Sequence, residues 1–308
     1  HKNTNRKLMI DELVNFLATK DRVKDPSEPV NQKKRKRKKD HGAIDKNNAT
    51  AVDESISSGP VQFYPYETVD DDHCETPIES YQDVQLTLTY FASKINKLPK
   101  DLKIYDPFYC EGKMVDHLQS LGFLNVYNKK EDFYKVQTEN KIPEYDVLVT
   151  NPPYSMDHVE KLISFCTKSK KPWILLLPNY VYMKDFFHNA IVCGCHPFFI
   201  SPTKGRRYMY TTPKGRRQAK SAKYTSPFPS FWYCSFPSYQ SAILQQLHQI
   251  VKSSPEKYPY HIANKIDDIP VEVAPDSDPR KKKLRNAQKR SKHKKRQQEK
   301  RTHPGTEL

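Results

Sequence analysis

Val147-Leu148-Val149-Thr150-Asn151-Pro152-Pro153-Tyr154 is the stretch that decides how this chain of 308 residues is read. Val147 to Thr150 is a largely apolar run rich in β-branched residues, with the length of a buried strand. It ends at two prolines, which carry no N–H, hold φ at about −65° and, through Pro153, bias Pro152 away from helical geometry. A strand that stops this way places an amide, an unpaired carbonyl and an aromatic ring at the lip of a sheet. The Asn151 side-chain oxygen and the Pro152 carbonyl can then accept both hydrogens of a planar –NH2 group, with Tyr154 stacking on the attached ring.

The flanking segments supply the rest of a sheet. Thr76-Pro77-Ile78-Glu79 reads as a helix start, with Thr76 as N-cap, Pro77 in the first turn and Glu79 closing a capping box. Ile78, Tyr81, Val84, Leu88, Phe91 and Ile95 follow at steps of three and four, the spacing of one buried helix face. Leu102 to Tyr105 reads as a strand that breaks at Asp106-Pro107-Phe108-Tyr109-Cys110-Glu111-Gly112. Met114, Val115, Leu118 and Leu121 then continue as a helix closed by Gly122. Leu124 to Tyr127, Val147 to Thr150 and Trp173 to Leu177 are three more strands, with a helix carrying Val159, Leu162 and Ile163 between the last two. Pro197 to Ile200 and Arg206 to Thr211 are strand-like, and a last strand ends near Phe236. This alternation predicts an α/β fold: a mostly parallel, doubly wound sheet ending in an antiparallel hairpin. In such sheets ligands bind beyond the carboxyl ends of the strands, where Asp106 and Asn151 both fall.

Asn151-Pro152-Pro153-Tyr154 resembles the catalytic motif of amino-methyltransferases that use S-adenosylmethionine, above all those acting on the exocyclic amine of adenine. The resemblance implies a Rossmann-like class I methyltransferase fold over roughly residues 60 to 250, S-adenosylmethionine as cofactor, and Asn151, Pro152, Pro153 and Tyr154 as catalytic residues. Two acceptors on the N–H groups favour the pyramidal nitrogen of the transition state, which is stabilisation by preorganised dipoles. Asp106 to Gly112 resembles the family's cofactor loop. It implies Asp106 facing the methionine ammonium, Phe108 lining the pocket and Gly112 admitting the backbone. Asn128 stands where an acid commonly holds the ribose hydroxyls, and Cys110 where the first loop glycine is expected. Asp132 and Phe133 match the position that holds the cofactor's adenine, and Glu75-Thr76-Pro77 the upstream motif near its carboxylate, with Thr76 in contact.

Lys204-Gly205-Arg206-Arg207-Tyr208-Met209-Tyr210 and Lys214-Gly215-Arg216-Arg217 interleave cations, aromatics and glycine. Such a loop can hold phosphates by charge and bases by stacking, so Lys204, Arg206, Arg207, Tyr208 and Tyr210 are the expected substrate contacts. The net charge of +16 is concentrated at the two ends: residues 33–39 are seven consecutive cations, and residues 280–301 hold thirteen against Glu299. Blocks of this kind are expected to be disordered and to bind polyanions or import receptors. The expected division is a basic N-terminal segment (1–59), a methyltransferase domain (60–255) and a disordered, strongly basic tail (256–308). Lys33 to Lys39 matches a nuclear-localisation run and the C-terminal block suits the nucleolus.

No apolar run long enough to span a membrane occurs and no signal-like stretch opens the sequence, which argues against secretion. Six scattered cysteines suit a reducing compartment. Cys193-Gly194-Cys195-His196 has no second pair at zinc-finger spacing, so no metal is expected. The reading is a nuclear adenine-N6 methyltransferase acting on nucleic acid, RNA ahead of DNA because few residues remain for a target-recognition domain. Import machinery and a protein subunit are the other partners it leaves open. Two alternatives stay open: a protein glutamine N-methyltransferase, whose substrate amide offers the same –NH2, and an inactive methyltransferase fold serving as an RNA-binding or assembly factor, for which Cys110 and Asn128 speak.

Overall fold

The computed structural model describes residue 72, residues 74–211 and residues 228–302, with side chains as far as residue 294. The N-terminal segment 1–59, with its basic run, and the Lys214 to Arg217 stretch lie outside the described residues.

Helix α1 (Ile78–Lys94) is followed by strand β1 (Ile104–Tyr105), α2 (Lys113–Ser120), β2 (Val126–Tyr127), α3 (Phe133–Thr138) and β3 (Val147–Thr150). Then come α4 (His158–Ser169), β4 (Trp173–Pro178), α5 (Asp185–Val192), β5 (Phe198–Pro202), β6 (Ser230–Ser235), α6 (Gln240–Ser253), β7 (Tyr260–Ala263) and α7 (Pro279–Thr302). The protein is α/β, built on one seven-stranded mixed sheet of order β2-β1-β3-β4-β6-β5-β7. β2, β1, β3 and β4 run parallel to one another. β6 enters antiparallel against the full length of β4, from Trp173 opposite Ser235 to Pro178 opposite Ser230, and β5 and β7 complete that edge antiparallel.

Strand periodicity sorts the core into two faces. Ile104, Val147, Val149, Ile174, Leu176, Trp232 and Cys234 pack on one side with residues of α1, α2 and α6. Tyr105, Leu148, Trp173, Leu175, Phe231 and Tyr233 pack on the other with residues of α3, α4 and α5. Each central strand is buried on both faces, which is why these segments read as unbroken apolar runs. The chain leaves β1 outward to β2 and returns to β1's other side for β3. The point where the strand order reverses therefore lies between β1 and β3.

Three expectations are corrected. No capping box forms: α1 begins at Ile78, with Pro77 as N-cap and no side-chain cap bond, because the Thr76 hydroxyl is engaged elsewhere. Arg206 to Thr211 makes no ladder strand but a single antiparallel bridge, Thr211 to Glu75, with both backbone bonds formed. The boundary at 255 also falls short. Tyr260 to Ala263 is the edge strand β7, with Tyr260 and Ala263 buried, and Ile269 and Ala274 are buried beyond it. Residues 279–302 form a 24-residue helix. Lysine, arginine and glutamine are good helix formers, Pro279 occupies the first turn and Asp278 Oδ1 accepts from the Arg280 amide at 2.7 Å, an N-cap bond.

Candidate active site at the carboxyl ends of the parallel strands

Asp106, Asn128 and Asn151 directly follow β1, β2 and β3, three adjacent parallel strands, so the fold brings them to one edge. Asp106 is buried, and its Oδ1 accepts from the Phe108 amide at 3.0 Å and from the Thr150 hydroxyl at 2.6 Å. Thr150 is the residue before Asn151, so the expected cofactor acid and the expected catalytic motif are joined by one hydrogen bond. Burial, helped by the nearby Glu75 carboxylate, raises Asp106 from the ordinary carboxylate range to about 7, against the pull of Thr150 and Phe108. A carboxylate this poorly solvated is a prepared partner for a cation.

The Asn151 amide is held at both ends. Its Nδ2 donates to Thr76 Oγ1 at 2.9 Å, and its Oδ1 accepts from the Tyr154 hydroxyl at 2.6 Å. Thr76 in turn hydrogen-bonds to the buried Tyr81 phenol. The Tyr154 hydroxyl also lies 3.1 Å from the Leu176 carbonyl, and burial pushes this phenol well above its ordinary value, so it stays a donor. Asn151 Oδ1 keeps one lone pair for a ligand, and the Pro152 carbonyl accepts no backbone hydrogen bond among the described residues. Tyr154 is half-buried and tethered by its hydroxyl, so it orients the Asn151 amide as well as bounding the site.

The remaining cofactor candidates fall around Asp106. Asn128 Nδ2 donates to the carbonyls of Asp106 and Phe108, both at 3.3 Å, while its Oδ1 is buried without a partner. That leftover acceptor fits a hydroxyl donor such as a ribose. Phe108 is half-buried against the core ring of Phe133, centroids 5.4 Å apart, and edge-on to His158 at 6.5 Å. Asp132 caps α3, its Oδ1 accepting from the amides of Tyr134 and Lys135. Gly112, at φ +87°, starts α2 in a left-handed conformation that an L side chain rarely adopts. Cys110, in the place of a loop glycine, hydrogen-bonds to Glu75, whose Oε1 also accepts from the Glu111 amide at 2.6 Å. The loop is thus tied down through a buried carboxylate, and burial beside Glu75 pushes the Cys110 thiol up.

The expected substrate loop is corrected residue by residue. Arg206 donates to fully buried Asp83 at 2.5 Å, and Tyr208, itself buried, donates to the same carboxylate at 2.7 Å. Tyr210 is buried with its hydroxyl bonded to Ser230. These three side chains fasten their segment to α1 and β6, because a charge on the inward face of α1 must be paired to be buried. Of the five, Lys204 and Arg207 are the exposed ones.

Sequence reasoning missed Asp72, which clamps the turn after β3. Its Oδ1 accepts from the amides of Tyr154 (3.1 Å) and Ser155 (3.2 Å), and its Oδ2 from the Ser155 hydroxyl. Nothing singles it out from the acidic run Asp70-Asp71-Asp72. Thr150 was legible as the one polar residue in an otherwise apolar strand. The pair His158 Nδ1 and Tyr134 hydroxyl, 2.5 Å apart beside Phe108, left no sequence signal. Cys193-Gly194-Cys195-His196 lies far from this edge, lining a cavity of about 330 Å³ with Cys166 and Trp173 at the start of β4. Among the described residues no group of three or more His, Cys, Asp or Glu is placed to hold a metal, and no helix is long and apolar enough to cross a membrane.

No protein-family model and no curated protein matches the chain.

Proposed function

We propose that the protein is an S-adenosylmethionine-dependent methyltransferase of Rossmann-like class I fold that methylates the exocyclic amine of adenine in nucleic acid, with RNA the preferred polymer. The observation that carries this reading is the Asp106–Thr150–Asn151 connection at the point where the strand order reverses. It ties a carboxylate suited to an ammonium to the strand end that carries Asn151 and Pro152, whose oxygens suit an –NH2 group. The antiparallel finish of the sheet agrees with that fold.

Asp106, Asn128, Phe108 and Gly112 would hold the cofactor, and the orphaned Asn128 Oδ1 and the raised Asp106 carboxyl both fit its polar groups. S-adenosylmethionine supplies, when bound, an electrophilic methyl group on sulfur. The chain's part is to hold the amine. Asn151 Oδ1 and the Pro152 carbonyl accept its two N–H groups, which localises the nitrogen lone pair as it pyramidalises. Thr76 and Tyr154 fix the acceptor's direction, so little reorganisation remains for the transition state. Nuclear import through Lys33 to Lys39 accompanies this reading.

A protein glutamine substrate presents the same –NH2, and the inward pairing of Arg206, Tyr208 and Tyr210 removes part of the argument against it. Incubation with labelled S-adenosylmethionine and separate nuclear RNA, DNA and protein fractions tests the choice. Label in RNA at N6-methyladenine is expected. Label in protein alone selects the glutamine reading, and no label with no cofactor binding by calorimetry selects an inactive fold.

A further inference from the structure

The strongest unassigned feature is α7. Its 24 residues span about 36 Å at 1.5 Å per residue. Its sequence carries thirteen cations against Glu299. Lys282, Lys283, Lys289, Arg290, Lys292 and Lys294 are all exposed. Like charges recur at i,i+4, as in Arg285 with Lys289 and Arg290 with Lys294, and such pairs weaken a helix. A helix polar on every face with almost no acid of its own needs counter-charge from outside.

Its base, by contrast, is built into the body. Arg280 donates to Asp278 at 2.8 Å and to the carbonyls of Ile266, Asp267 and Ile269. Asp278 is buried and accepts from Tyr182, in the turn that follows β4. Arg285 and Lys281 both reach Asp276, and Lys281 also reaches the Ala274 carbonyl. β4 is the strand beside β3, and Tyr154 touches it at Leu176. Three residues after Leu176, Asn179 donates to the Val273 carbonyl in the segment leading to α7. The base of the arm is therefore fastened to the same sheet edge that carries Asn151.

We propose that α7 is a docked, rod-like phosphate-binding arm that holds an RNA stem next to the adenine presented at Asn151. This rests on the methyltransferase reading for the adenine, and on charge complementarity for the stem. A fixed rod of cations matches the regular phosphate rows of a double helix, recognised by shape and backbone. A free single strand has no such fixed spacing. A flexible cationic tail would bind both alike.

Two full-length variants test it in cofactor-free titrations against an RNA hairpin, its unpaired sequence and a DNA duplex, at several salt concentrations. Replacing these six cations by glutamine should make the log–log salt slope for the hairpin shallower by about 4–5, at roughly 0.7–0.9 per lost contact. Ala287→Pro keeps every charge but breaks the rod at an exposed position. It should weaken hairpin binding about tenfold through lost orientation and leave the unpaired strand unchanged. Both variants should melt with the wild type. Wild-type hairpin affinity in Ala287→Pro, an unchanged slope in the glutamine variant, or equal affinity of the wild type for stem and unpaired strand overturns the arm. Because these titrations need no cofactor, hairpin binding as expected, together with no label in any fraction and no cofactor binding by calorimetry, would sink the methyltransferase reading and leave the arm standing.

Discussion

Asn151 and Asp106 carry opposite kinds of burden, and each yields a measurement. Asn151→Ala removes one of the two proposed amine acceptors and should cost about 10²–10³ in kcat, the scale seen on deleting one oxyanion-hole donor. The residue is half-buried at a strand end, so its melting temperature should move little. Wild-type turnover in that variant would end the catalytic assignment. Asp106 gives a pH signature. Its folded value of about 7 exceeds the ordinary carboxylate value, so between about pH 4 and 7 the folded protein binds more protons than the unfolded chain. Stability without cofactor should therefore fall as pH rises through that window and flatten above 7. A bound ammonium favours the carboxylate, so cofactor affinity should climb by up to tenfold per unit between about pH 5 and 7. Calorimetry at three pH values checks this; a flat profile shared by Asp106→Asn would show that no cation meets Asp106.

At the scale of elements, the proposed catalytic turn is held from outside its own strand. Asp72 engages two amides and a hydroxyl of residues 154 and 155, as a charged acceptor in a half-buried setting. Asp72→Ala should lower kcat more than it lowers stability, since the turn loses its aim while the sheet beneath keeps its core. A fall in melting temperature with kcat intact would contradict the clamp. Arg206 belongs to the same scale. Arg206→Leu leaves buried Asp83 without its cation, a loss of about 3–5 kcal/mol for breaking a buried pair, readable by chemical denaturation. Sequence reasoning assigned Arg206, Tyr208 and Tyr210 to substrate because cations and aromatics on a glycine loop look alike whether they face solvent or core. Thr76 shows the same ambiguity. A Thr-Pro-x-Glu stretch is a sound capping box locally, yet Asn151, 75 positions away, takes its hydroxyl.

For the whole molecule, the division between core and tail lies beyond Asp278. Truncation after residue 255 removes edge strand β7 and the buried Ile269 and Ala274, and should abolish cooperative unfolding. Truncation after residue 285 keeps the Asp278–Arg280–Tyr182 anchor and should melt with the full chain. Equal melting of the two would return the boundary to 255. Asp278 is held down to about 2 by Arg280, so its stabilising contribution is full above about pH 4 and lost as pH falls through 2.

The amino-acid sequence by itself determined the order and kind of the central elements. Val147 to Thr150 and Trp173 to Leu177 are apolar runs with nowhere to go but the middle of a sheet, and the prolines at 152 and 153 end β3 whatever surrounds them. It also placed Asp106, Asn128 and Asn151 at strand ends, since a strand end is a local property. Only the tertiary structure decided that those three ends are adjacent, that Thr150 joins two of them, and that Asp72, Thr76 and Arg206 serve partners far along the chain. The difference is physical. Periodicity and turn chemistry act between near neighbours, whereas the hydrogen-bond partner of a buried polar group depends on which distant segment packs against it. The strand β7 fell between these cases, because four residues directly after Pro259 gain strand character only from the edge of β5 that they cover.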